Sequence, residues 1–434
     1  MPINTPHPDY PEVSERADTT DDAFEGDVKE FVPRLNGETR TQFEARVNRP
    51  AYYNIVERTT LALLGALMRK PYTLQGVVGD EPETDNNSFD EFVQSAYQEI
   101  LLCGRIGLYV DYCNEEQTPK LVTYSAENII NWCDEFIVIE EEHLVRDKRD
   151  PYKLVSEKSW RELCFDEAGF YQVRIWKETA RGKYAVVETT QPLIRGQRLD
   201  YFPFFFVTPY DNTEECSAPP LYNLAVLNIE HFKTSVDYAH GLHFLALPTP
   251  WIAGDIYTMD GTQPTELSIG TEKFIHLLEN SKVGYLEFGG AGMAAISDHI
   301  SKIEDRMFSM GSRLLASKRG IESAEALQIR STSESAILVT LTNSLETGLE
   351  KALSVYNQWA GSTVEPIIEL NRDFAGSKLS PQDIAALLQT YTAGVITLDT
   401  LLARLYDGEI VMDVNLELAA LGKAPEIQPV DVVV

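Results

Sequence analysis

The sequence predicts an α+β protein: helices at both ends, a β-rich middle, and a long helical hairpin after it. Two capping-box starts, Thr39–Gln42 and Ser88–Glu91, open apolar-periodic helices in the first quarter of the chain. Between Gly107 and Val207 the apolar period shortens toward two, with turn residues at Asp166–Gly169 and Ala180–Lys183. From Pro219 to Ala316 a helical period returns on both sides of an insert broken by Pro and Gly.

Taken in order, residues 1–38 are rich in Pro, Asp, Glu and Thr and lack apolar periodicity, which predicts a loosely ordered N-terminal arm. Thr39 caps a helix through Phe43 and Val47, and another runs from about Ala51 to Arg69, stopped by Pro71. Gly76 to Asn87 reads as an acidic loop. Ser88 opens a helix through Phe92, Ala96 and Ile100 to Cys103. Strands follow at 107–112, 120–124, 136–140, 160–165, 169–176, 183–187 and 202–207, so that 39–218 forms one α/β region.

The hairpin begins at Pro219-Pro220-Leu221 and carries Leu224, Ala225, Asn228, Phe232, Ser235, Ala239 and His243 at helical spacing through Leu247. Its returning helix, 291–316, bears the stripe Met293, Ile296, Ile300, Ile303, Met307, Met310 and Leu314. Intervals alternating between three and four are those of a helix packed nearly parallel to a neighbour. Pro248–Gly290 between them predicts a small β-rich tip. A lone helical hairpin buries little, so this one is expected to pack against copies of its own chain. A polar loop, 317–330, carries Lys318, Arg319 and Arg330. Ser331–Glu334 then caps a helix through Leu341, Leu345, Leu349 and Tyr356, in a segment reaching 375. Ser380-Pro381 and Thr397 start two more helices, and the region from 376 to 434 is helical with a tail from Glu426.

Composition narrows the function. With 44% hydrophobic and 24% charged residues, the 434-residue chain folds into a substantial core. No apolar run reaches membrane-span length, and Met1–Asp9 has no signal-peptide form. Five cysteines without a C-x-x-C pair predict free, mostly buried thiols in a reducing compartment. Acids outnumber bases 67 to 37, a net charge of -30, which disfavours tight phosphate binding over a broad face.

Enzyme motifs are scarce. Gly290-Ala291-Gly292-Met293-Ala294-Ala295 has the G-x-G-x-x-A form after a strand-like Tyr285–Phe288, which would suit a nucleotide-binding enzyme. That fingerprint needs a second parallel strand about twenty residues later, and here the helix runs on into a polar loop. A turn feeding a helix is the simpler reading. Asp237, His240 and His243 lie at i, i+3 and i+6 of one helix. The first and last diverge, so packed histidines are favoured over a metal site. There is no G-x-S-x-G elbow or G-x-x-x-x-G-K-[ST] loop.

The order of these elements resembles a tailed-phage portal protein, and is most similar to a family of uncharacterised portal-like phage proteins. The residues carrying the resemblance are Tyr52-Tyr53-Asn54 with Arg69-Lys70-Pro71, Gly104–Gly107, Tyr124–Trp132, Pro219–Leu221 through Asn228–His231, Tyr238–Phe244, Pro248–Pro250 and Gly289–Met293, across about 30–420. The resemblance implies a portal fold: an α/β wing at 39–218 joined by the helix of 331–375, a two-helix stem at 219–247 and 291–316, a clip at 248–290, a tunnel loop at 317–330, and a small helical crown from 376. It further implies a ring of about twelve subunits at one capsid vertex, in the virion after assembly in the host cytoplasm. Such a ring is a channel for packaging and ejecting double-stranded DNA and docks a terminase motor and a tail adaptor beside major capsid and scaffold proteins. The stripe from Met293 to Leu314 would be stem packing, Lys318, Arg319 and Arg330 would face the channel, and Trp251 and Tyr257 would serve docking at the clip. No catalytic residue, cofactor, metal or membrane is implied. Another virion connector or ring protein is the nearest alternative.

Overall fold

The computed structural model describes residues 2–79, 81–85, 88–113, 118–147, 150–246, 249–253, 282–286, 291–315, 324–374, 381–408, 410–411 and 414–421. In chain order the elements are α1 (Tyr10–Glu25), α2 (Arg40–Val47), α3 (Ile55–Leu67), β1 (Thr73–Gln75), α4 (Phe89–Cys103), β2 (Ile106–Cys113), β3 (Thr118–Ser125), β4 (Ile129–Cys133) and β5 (Phe136–Arg146). Next come β6 (Leu154–Phe165), β7 (Tyr171–Ala180), β8 (Lys183–Thr190), β9 (Leu193–Ile194), β10 (Gln197–Arg198), β11 (Phe204–Val207), α5 (Tyr222–Ala246), β12 (Thr249–Ala253) and β13 (Lys282–Leu286). The chain continues through α6 (Ala291–Leu315), α7 (Ala324–Trp359), β14 (Ile367–Glu369), α8 (Pro381–Thr392), α9 (Leu398–Asp407) and α10 (Val414–Leu421).

Two compact units result. The larger comprises Met1–Gly65 and Tyr72–Leu370, the smaller Ala66–Pro71 and Asn371–Val434. In the larger unit, β4-β5-β6-β7-β8 form an antiparallel meander and β11-β2-β3 a three-stranded sheet. The meander's inner face, with Ile137, Ile139, Leu163 and Val173, shares a core with Tyr109, Tyr124 and Phe204 of the smaller sheet. A polar network crosses that core. The Tyr109 and Tyr171 hydroxyls lie 3.0 Å apart, Tyr124 donates to Glu141 Oε1 at 2.6 Å, and Arg161 bridges Glu141 at 2.7 Å and Asp111 at 3.2 Å. Burial holds the Tyr109 and Tyr171 phenols above their ordinary range, so both keep the protons they donate.

Helix α7 lies across β2, β3 and β11, burying Leu341, Leu345, Leu349 and Leu353. Its Gly348 permits the approach: a Cβ there would stand 2.4 Å from Val207 Cγ2. The helix starts at Ala324, so Ser331 lies inside it and not at its start. The polar loop expected at 317–330 therefore ends by 323, its last seven residues being helical. Helix α3 likewise begins later than expected, at Ile55, where the Asn54 side chain accepts from the Glu57 amide at 2.9 Å. The Thr39 capping box forms as expected, and Ser88 accepts from the Glu91 amide.

The main departure is the N-terminal segment. Instead of a loose arm, residues 10–25 form α1, packed on α4 and α5 through Val13, Ala17, Thr20 and Ala23. These are mostly small side chains, so the face registers weakly in hydropathy yet allows close helix approach. The acidic loop is also ordered in part, with Thr84 bridging to Leu121 in parallel sense at the edge of β3. Among the described cysteines Cys103 and Cys164 are buried, but Cys133 is exposed. In the smaller unit, Lys70 and Arg69 both approach Asp373, at 2.9 and 3.2 Å, and Thr397 caps α9 by accepting from Thr400.

Candidate assembly surface

The hairpin of α5 and α6 is anchored at its root by polar contacts. Asn228 is fully buried; its Oδ1 accepts from the Ile55 and Val56 amides at 3.0 and 3.3 Å, and its Nδ2 donates to the Tyr53 carbonyl at 2.9 Å. One amide thus satisfies two donors at the start of α3, where a helix leaves amides unpaired. Nearby, buried Arg46 donates to both Glu38 carboxylate oxygens at 2.8 and 3.0 Å and to the Pro33 carbonyl at 2.8 Å. These hydrogen bonds from Arg46 hold the Glu38 carboxyl down at about 2. Along the hairpin, His231 Nε2 lies 3.2 Å from Glu304, and His299 3.6 Å from Glu230. Gly241 lets α6 come close, since a Cβ there would sit 2.5 Å from the Met293 sulfur.

Burial divides the expected stripe. Ile303 and Met307 are buried, whereas Met293, Ile296, Ile300 and Met310 are half-buried. The side chain of Leu314 lies outside the described residues. Away from the stripe, Phe308 is 68% exposed, and Val226, Leu242 and Phe244 of α5 are also exposed. At the hairpin tip, β12 and β13 pair antiparallel, with exposed Trp251 opposite Gly284.

The other expected site residues divide as follows. Tyr257, Lys318 and Arg319 lie outside the described residues; Arg330 falls within α7, but its side chain is also outside them. Gly290 lies outside them too, while Gly292 is in the first turn of α6. The strand before that turn, β13, pairs antiparallel with β12, an arrangement unlike the parallel strand–helix–strand unit that a dinucleotide fingerprint needs. Asp237 faces Arg46 at 3.8 Å and His240 meets Arg49 at 2.8 Å, so the two have separate partners. Among the described residues no group of three His, Cys, Asp or Glu side chains is placed to hold a metal.

Sequence reasoning missed two features. Phe308 falls off the apolar stripe, and an exposed aromatic on a helix carries no periodic signal. Arg105 is fully buried, its guanidinium 4.0 Å from the Trp132 ring centroid and 5.0 Å from that of Phe206. Nothing local marks it, because its box is built from β4 and β11.

Residues 220–360, from the start of α5 to the end of α7, match the model of a domain of unknown function, DUF4055. No curated protein sequence matches the chain. Among solved structures, it is similar to a chain from the neck of an empty gene transfer agent particle, with 15% identity, TM-score 0.41, and coverage of 87% of this chain and 96% of that one. A chain from the virion of the native gene transfer agent particle is similar with 14% identity and TM-score 0.38, over 84% and 91% of the two chains. An HK97-family phage portal protein from Corynebacterium diphtheriae is similar with 10% identity and TM-score 0.28, over 81% and 96%.

Proposed function

We propose that the chain is the protomer of a phage portal ring, a non-enzymatic channel at one capsid vertex through which double-stranded DNA is packaged and ejected. The observation that carries this reading is the apolar surface left over on the α5–α6 hairpin. Within the chain, α6 fully covers only Ile303 and Met307 of its described stripe, while Phe308, Val226, Leu242 and Phe244 face outward. Apolar side chains left exposed on a pair of packed helices suit an interaction face, and a face repeated by rotation closes a ring.

In this reading α5 and α6 form the stem, the β12–β13 tip with Trp251 is the clip that docks terminase and tail adaptor, and the 316–323 connection with Lys318 and Arg319 faces the bore. The smaller unit is the crown. Major capsid and scaffold proteins surround the body at the vertex, and the assembled ring resides in the virion. The net charge of -30 suits a conduit, because a wall rich in bases would hold the duplex that must slide past it.

Mass photometry and negative-stain imaging of the purified protein test the proposal. The expected result is a ring of about twelve copies of the 48.8 kDa chain with an open centre. Phe308→Asp is expected to reduce ring formation while the protomer keeps its melting temperature, because that side chain contributes little to the protomer core. A stable monomer at micromolar concentration overturns the reading. A ring with a closed centre favours the connector role instead.

A further inference from the structure

The Arg105 box holds a buried charge whose partners are incomplete. Nη1 donates to the Glu214 carbonyl at 3.0 Å, but among the described residues Nε and Nη2 have no hydrogen-bond partner. Those two groups form the side-on edge of a guanidinium, two parallel N–H donors spaced to match two oxygens of a carboxylate or phosphate. The rings of Trp132 and Phe206 lie against the cation and compensate it in part. They give the edge donors nothing to bond, and the Glu214 carboxylate favours the cation electrostatically without hydrogen-bonding to that edge.

The box is close to the surface on one side. Glu214, whose carbonyl meets Nη1, is exposed, and Cys216 two residues on is half-buried. His7, stacked on Trp132 at 4.1 Å, closes the aromatic side. The neighbouring backbone is tightly packed: a Cβ on Gly104 would stand 2.6 Å from the Ser217 carbonyl, in the segment that leads into α5. Arg105 therefore sits where the β core hands over to the hairpin.

We propose that the Nε–Nη2 edge of Arg105 is a receptor for a small tetrahedral oxyanion, inorganic phosphate in the simplest case, reached from the side of Cys216. Bound there, the anion satisfies both donors and neutralises the cation, which stiffens the junction between body and hairpin. Cys216 reports occupancy. Burial pushes its thiol up and the Arg105 charge pulls it partly back. Neutralising that charge leaves less thiolate and slower reaction with an electrophile.

Site-resolved alkylation by iodoacetamide, in phosphate and in chloride at equal ionic strength and pH, tests this on the full chain. The expected outcome is that phosphate slows Cys216 about threefold and leaves exposed Cys133 unchanged. Phosphate is also expected to raise the urea midpoint of the natural chain in a saturable manner. Arg105→Lys, which keeps the charge but loses the fork, is expected to abolish that rise. An unchanged Cys216 rate overturns the proposal, since water or the Asp9 carboxylate then satisfies the edge. Equal slowing of Cys133, or a phosphate response retained in Arg105→Lys, also overturns it, since the ion then binds elsewhere. Should Arg105→Lys not fold, the two-cysteine comparison on the natural chain decides alone.

Discussion

At Glu127 charge and packing conflict. It sits in the turn between β3 and β4, and burial, with Asp18, Asp21 and Glu99 adding to it, raises its carboxyl from 4.5 to about 7. A carboxyl raised in the folded state binds a proton that the unfolded chain releases. Its stabilisation is therefore complete below pH 4.5 and is lost as pH climbs through about 7. Glu127→Gln should flatten this loss, and urea midpoints at about pH 5 and pH 8 should differ less in the variant than in the natural chain. An equal difference in both chains would place the pH dependence elsewhere. Gly348 poses the opposite problem, one of space. Alanine gains about 1 kcal/mol of helix propensity but forces a methyl to 2.4 Å from the buried Val207. Overpacking costs about 1–3 kcal/mol, so Gly348→Ala is expected to lower the urea midpoint on balance.

At the level of elements, the hairpin depends on how α5 grips α3. Truncating Asn228 to Ala leaves the buried Val56 amide and its neighbours Ile55 and Tyr53 without their partner. The expected loss is about 2–4 kcal/mol, read by chemical denaturation, and hydrogen exchange should quicken first at the start of α3. Helix α1 shows how an element escapes notice. Val13, Ala17, Thr20 and Ala23 do recur at helical spacing, but three of the four are small and the remaining sequence is acidic. Their burial depends on α4 and α5, distant in sequence. Helix α7 was legible from Leu341 onward through its leucine spacing. Its first turns were not, because Ser331–Glu334 mimics a capping box inside a continuing helix.

For the whole molecule, the apolar stripe of α6 serves two ends, and burial separates them. Met307 is 1% exposed, so Met307→Asp is expected to unfold the protomer. Ile300 is only half-buried, and Ile300→Asp is expected to impair assembly more than it lowers the melting temperature. Paired melting curves and mass photometry distinguish the two. If both variants melt alike and both assemble, the stripe is not a subunit interface.

Local information carried the parts of this protein that local chemistry controls. Side-chain period, capping residues and turn residues are set within a few positions, and they placed strands β2, β3, β5 to β8 and β11, the two hairpin helices and the start of α9. The excess of acids likewise argued against a broad phosphate-binding face before any fold was known. Tertiary structure decided what depends on distant neighbours. It docked α1, paired β13 antiparallel with β12 rather than in a parallel unit, set Arg105 against Trp132 and Phe206, and left Phe308 uncovered. Periodicity can say that a helix has an apolar face; only the packed chain determines how much of that face remains for a partner.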